Sequence, residues 1–103
     1  MEIIKEIEHI NCSNSSLTNF FSDINNYKEV FSNEVSSFEI LNENVFEIKI
    51  GSFPKISLIH SKSNKNSFSL KSNSNNFEFE ILINLWEISS KSSRCQIICI
   101  FFN

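Results

Sequence analysis

The side chains able to do chemistry in this sequence are few and scattered: His9 and His60, Cys12, Cys95 and Cys99, and the carboxylates Glu78 and Glu80. A histidine spaced with cysteines or carboxylates would hold a metal ion. Neither histidine has such a neighbour, and both read as surface or rim residues. The cysteines form no Cys-x-x-Cys motif and have no cation nearby in sequence to stabilise a thiolate, so they read as inert thiols, buried or half-buried. Cys95 and Cys99 lie four apart; on a strand they would share a face about 13 Å apart, beyond disulfide reach. Glu78 and Glu80, two apart, fall on one strand face, with Glu87 on the opposite parity. Paired carboxylates can exchange protons with a substrate, but a solvated outer face accounts for them better.

The other catalytic signatures are missing. The many serines have no Gly-x-Ser-x-Gly context. A single glycine, Gly51, excludes both a phosphate-cradling loop and a dinucleotide fingerprint. Tyr27 and Trp86 suit a pocket wall, yet structural packing explains them more simply. No catalytic residue, metal ligand or cofactor is assigned.

The elements that would position these residues follow from periodicity. Residues 3–10 mix apolar and charged positions at nearly strand period and form a first strand. Asn11 to Ser16 is a polar break with Ser13 as the N-cap. Leu17, Phe20, Phe21, Ile24, Tyr27 and Phe31 then repeat at helical spacing, and Asn25-Asn26 divides them into one helix of about two turns and a second short one. From Val35 the period becomes two. Val35 to Leu41 and Val45 to Ile50 form a hairpin around Asn42-Glu43-Asn44, with Phe46, Ile48 and Ile50 on one face. Gly51-Ser52-Phe53-Pro54 breaks the pattern as a bulge or bend. Strands follow at Lys55 to His60, Ser67 to Lys71, Phe77 to Ile88 and Arg94 to Phe102, separated by the polar turns 61–66, 72–76 and 89–93. Phe79, Ile81, Ile83 and Leu85 share a face of the longest strand. Such short connections require an antiparallel meander.

The 103 residues suffice for one domain, burying roughly two-thirds of the surface of its unfolded chain. The net charge is −3 with no basic run, so no nucleic-acid footprint is visible. Alanine is absent, and glycine, proline and arginine occur once each. Codon bias in an AT-rich, bacterial genome produces such a composition. The longest apolar run, Ile97 to Phe102, is too short to span a bilayer. The acidic, alternating N-terminus is unlike a signal peptide. With an odd number of cysteines, a reducing cytoplasm is the expected location.

The order strand, helix pair, meandering strands resembles the helix-grip fold of the START and birch-pollen-allergen-like superfamily, which includes polyketide cyclases. The stretch Ser13 to Phe31, with its Phe-Phe-Ser-Asp-Ile-Asn-Asn-Tyr core, is similar to the corresponding segment of small bacterial members. The resemblance implies an α+β domain over residues 1–103 whose curved sheet lines an apolar cavity. It also implies a C-terminal helix across that sheet, which this sequence lacks after its last strand; it is expected to be truncated there, leaving the sheet's inner face uncovered. That face is assigned to Phe38, Ile40, Phe46, Ile48, Ile56, Leu58, Phe68, Leu70, Phe79 and Ile81.

These readings converge on a non-catalytic domain that binds an apolar small molecule or lipid through those ten residues. Two alternatives stay open. One is an interaction module whose inner face docks on a protein partner or a second copy, favoured by the hydrophobic ending Ile97 to Phe102. The other is an enzyme of the cyclase or hydratase kind, which would need polar side chains directed into the apolar face. An erosion product without retained function is a further possibility.

Overall fold

The computed structural model describes residues 2–33, 35–52, 54–73 and 78–102, without the side chain of Ile50. In chain order the elements are β1 (Glu2–Ile10), α1 (Asn14–Ser22), a 3-10 turn (Ile24–Asn26), α2 (Tyr27–Val30), β2 (Val35–Ile40), β3 (Val45–Ile50), β4 (Ile56–Asn64), β5 (Ser67–Ser72), β6 (Glu78–Ser89) and β7 (Ser92–Phe102). All seven strands join one antiparallel sheet in the order β1-β7-β6-β5-β4-β3-β2. Strands β2 to β7 meander, as their short connections demand. β1 closes the arrangement by pairing with β7, so β1 and β2 form the two open edges.

The helical segment forms where its residues can satisfy their own backbone ends. The Ser13 hydroxyl accepts from the Ser16 backbone N–H at 3.1 Å and starts α1. Asp23 is extended and ends it. Its carboxylate then accepts from the Asn25 side chain at 2.8 Å and the Asn25 N–H at 2.9 Å, which together hold its pKa below the usual range. The Asn26 amide donates to the Phe20 carbonyl at 2.9 Å. The Asn25-Asn26 break is therefore a bonded corner that turns α2 across the sheet.

Two boundaries differ from the sequence expectation. β4 runs on to Asn64, so its turn shrinks from 61–66 to the two residues 65–66. The strand continues because Ser61 and Lys62 pair with Ser69 and Phe68, and pairing overrides their weak strand preference. Likewise β7 starts at Ser92, and the expected loop 89–93 contracts to a turn at 90–91. There the Ser89 and Ser92 hydroxyls bond at 2.7 Å. Phe53, Phe77 and part of the 72–76 turn lie outside the described residues. Gly51, between β3 and β4, adopts φ +54°, a left-handed conformation that glycine occupies without a Cβ penalty.

The core lies between the helical segment and one face of the sheet. Tyr27 and Phe46 are fully buried and stacked, their ring centroids 5.7 Å apart. Phe38 stacks on Phe46 from β2 at 5.0 Å, and Phe31 meets it from the end of α2. Phe21 reaches Phe68 from α1. Each such side chain stabilises the fold by about 1.5–3 kcal/mol when removed from water. Two polar ties anchor the entry to α1: Ser93 Oγ donates to the Cys12 carbonyl at 2.9 Å, and Asn14 donates to Asn66 Oδ1 at 3.0 Å.

Candidate functional site

Cross-strand register defines the inner face row by row, because residues directly opposite in an antiparallel pair share a face. Phe38 lies opposite Ile48, Ile40 opposite Phe46, Phe46 opposite Leu58, and Ile48 opposite Ile56. His60 lies opposite Leu70, which lies opposite Ile81. Ile81 lies opposite Cys99, and Cys99 opposite Ile3. One apolar surface therefore runs across all seven strands.

The ten residues assigned from sequence fall into three environments on this surface. Phe46, Ile48, Ile56, Leu58, Phe68, Leu70 and Phe79 are buried in the core. Phe38 and Ile81 are half-buried at its margin. Ile40 is 40% exposed and lines an open cleft of about 490 Å³ with Ile24, Asp23, Asn25 and Asn42. The inner face is thus better covered than sequence reasoning anticipated: the helical segment packs over it from β6, through α1, to β3, through Tyr27 and Phe31.

The cover gives out toward β1. Ile97 and Phe101 of β7 and Ile81 of β6 pack against the core yet keep part of their surface exposed. Cys99 is half-buried between them. On β1, Ile3 is 52% and Ile7 38% exposed. Sequence reasoning missed this floor because it left the faces of the last strand unassigned. The signal was available in the alternation Cys95, Ile97, Cys99, Phe101, which continues the parity of Phe79 to Leu85 through the β6–β7 register.

His60 departs most from expectation. It is not at the surface or rim but 8% exposed, because it continues the inward parity of Ile56 and Leu58 along β4. Its Nε2 lies 2.9 Å from the Phe21 carbonyl, which can only accept, so that nitrogen carries the proton. The ring stacks on Phe68 at 5.9 Å and meets Tyr27 at a tilt, 5.4 Å away. Burial lowers its pKa, against the opposing effect of the Phe21 bond. The Tyr27 hydroxyl donates to the same carbonyl at 2.8 Å, and burial raises its pKa well above the ordinary range. The His60 imidazole and the Tyr27 hydroxyl are thus both engaged in holding the last turn of α1 against β4.

The remaining candidates are dispersed. His9 is exposed on β1. Cys12, expected to be at least half-buried, is exposed in the loop before α1, where its backbone N–H bonds the Ile10 carbonyl and its carbonyl accepts from Ser93. Burial raises the pKa of Cys95 and Cys99, which favours the protonated, unreactive thiol. Glu78 and Glu80 are on the outer face, exposed and half-buried. Trp86 is 42% exposed on that face under the Arg94 guanidinium, 5.1 Å from its ring. Arg94 also pairs with Glu6 at 3.1 Å. Gln96 and then Arg94 hold the Glu6 carboxyl below its usual pKa. Among the described residues, no three His, Cys, Asp or Glu side chains gather as a metal site, and no helix is long and apolar enough to cross a membrane.

This geometry, a seven-stranded antiparallel sheet gripping a helical segment at the break between its first and second strands, has counterparts among solved structures. A START superfamily protein from Mycobacterium smegmatis superposes with a TM-score of 0.81 at 13% identity, covering 98% of this chain and 76% of that one. The chain has the START-like helix-grip fold. Norcoclaurine synthase from Thalictrum flavum matches at TM-score 0.77 and 9% identity, over 98% of this chain and 68% of the synthase. The Zhui aromatase/cyclase from Streptomyces sp. R1128 matches at 0.75 and 8%, over 99% and 67%. No family model and no curated protein sequence matches the chain. Identities this low establish a common fold, and a fold hosts many activities.

Proposed function

We propose that this START-like domain, residues 1–103, binds an apolar small molecule or lipid without catalysing its conversion. The observation that carries this reading is the apolar floor formed by Ile3, Ile7, Ile81, Ile97, Cys99 and Phe101, continuous with the core and open to solvent. Of the ten residues first assigned, Ile81 belongs to this floor and buried Phe79 adjoins it opposite Phe101; the other buried six continue the same face under the helical segment, and Phe38 and Ile40 lie at the opposite edge of the sheet. Apolar surface of this kind gains about 25 cal/mol per Å² when a ligand removes it from water. The non-catalytic part of the reading is supported by His60 and Tyr27, whose polar atoms both serve the Phe21 carbonyl. Two of the similar structures are a synthase and an aromatase/cyclase, so an enzyme of that kind is the contrasting reading. It would require these two groups to be released from that carbonyl. The three free thiols support a reducing cytoplasm as the place of action.

Native mass spectrometry of gently purified protein tests the proposal. A monomer carrying extra mass that organic extraction removes supports it and gives the ligand's mass. A ligand-free dimer would replace it with self-association through the same face, a reading favoured by exposed Ile3 and Ile7 on the β1 edge.

A further inference from the structure

The open floor carries one charge of its own. Lys5 lies between Ile3 and Ile7 on β1, opposite Ile97, which in turn lies opposite Ile83. Its neighbour Glu6 marks the outer face through its contacts with Gln96 and Arg94, and strand alternation therefore places Lys5 on the inner one. Lys5 has no carboxylate within 4.0 Å among the described residues, whereas Lys55 has one, Glu47, and Arg94 has two, Glu6 and Glu8. The nearest strand acid of inner parity is Glu87, two strands across on β6 and four residues beyond the Lys5 row, about 16 Å away at strand spacing. Lys62 stands at the far end of the same cross-strand row, its Nζ 5.7 Å from the Phe68 ring.

An ammonium on a flexible stem at the margin of an apolar floor is suited to a molecule with an apolar body and one negative end. We propose that the ligand is a single-chain anionic amphiphile, such as a long-chain carboxylate, whose tail covers Ile81, Ile97, Cys99 and Phe101 and whose anionic head meets Lys5. This inference rests on the apolar-binding reading above. It favours a free amphiphile over an anionic bilayer surface. Glu2, Glu6 and Glu8 line the outer side of the same edge strand, and the net charge is −3, so a negative membrane would be repelled where it approached Lys5. The same charge opposes non-specific uptake of anions, and any preference for an acid must then arise locally.

The test titrates the purified chain with dodecanoate, dodecanol and dodecylammonium, each below its critical micelle concentration, by calorimetry at pH 7.5. Dodecanoate should bind about two- to fivefold more tightly than dodecanol, the range of an exposed charge pair, and dodecylammonium most weakly. Lys5→Gln should erase the preference for the acid while leaving dodecanol binding intact; Lys62→Gln should change neither. If acid and alcohol bind wild type equally, the anionic-head inference fails while the apolar-binding reading stands. If the preference survives Lys5→Gln, Lys5 is not the recognising group and the inference is overturned. If none of the three binds, both readings fall.

Discussion

Replacing His60 with phenylalanine isolates a buried imidazole whose pKa is lowered by its burial. The substitution keeps a ring of similar size against Phe68 and Tyr27 and removes the donor to the Phe21 carbonyl. That carbonyl retains the Tyr27 hydroxyl, so the cost at pH 8 should be that of one hydrogen bond, about 0.5–1.5 kcal/mol. The pH dependence carries the sharper expectation. Burial lowers the folded-state pKa of His60, while the unfolded chain titrates near the ordinary value of about 6.5. The neutral form is therefore favoured by folding. Its stabilisation is complete above about pH 6.5 and is lost as pH falls from there through the lowered folded value. One proton limits the slope to about 1.4 kcal/mol per pH unit. If the folded form takes up no proton by pH 5.5, the loss between pH 8 and 5.5 reaches about 1.4 kcal/mol, several degrees of melting temperature for a domain of this size.

The groups around His60 do not blur this window. Tyr27 titrates far above it, Lys62 follows two residues along β4, and no carboxylate pairs with the ring among the described residues. Asp23 and Glu6, with lowered carboxyl pKa values, add stability above their unfolded values that disappears only as pH falls below about 4.5. Urea unfolding followed by far-ultraviolet circular dichroism at pH 8, 6.5 and 5.5 makes the comparison. Wild type should lose stability between pH 6.5 and 5.5, and His60→Phe should stay flat. Parallel losses in the two proteins would refute the assignment of the transition to His60.

Two further outcomes test the fold. Phe46→Ala removes a fully buried ring that touches Tyr27, Phe31 and Phe38 and should cost about 3–5 kcal/mol, read as a lowered urea midpoint or loss of folded protein. Gly51→Ala should cost about 1 kcal/mol through backbone conformation alone, because a Cβ there meets nothing within 4 Å; Gly51→Asn should recover part of it, and an alanine variant with unchanged thermal midpoint would contradict the left-handed turn.

The sequence determined the element order, because its signals are local. Ser13 can cap only a helix that begins just after it, the repeat from Leu17 to Phe31 has a helical period, and the paired apolar positions from Val35 onward alternate whichever strands they join. The turn chemistry of 42–44 and the meander that short connections impose were legible for the same reason. Tertiary structure decided what depends on pairing across the sheet. Residues 61–64 and 92–93 became strand because a partner strand lay beside them. His60 went inward although its residue type suggested the rim, since register commits every second residue of β4 to one face. Seven of the ten assigned cavity residues became core once α1 and α2 lay over them. The accessible floor moved to the β1–β7 end, and the local pattern of β1 could not foretell this because the strand's partner lies about ninety residues away in the chain. A side chain's face is set by its own strand's period, whereas its exposure is set by whichever distant element comes to rest upon it.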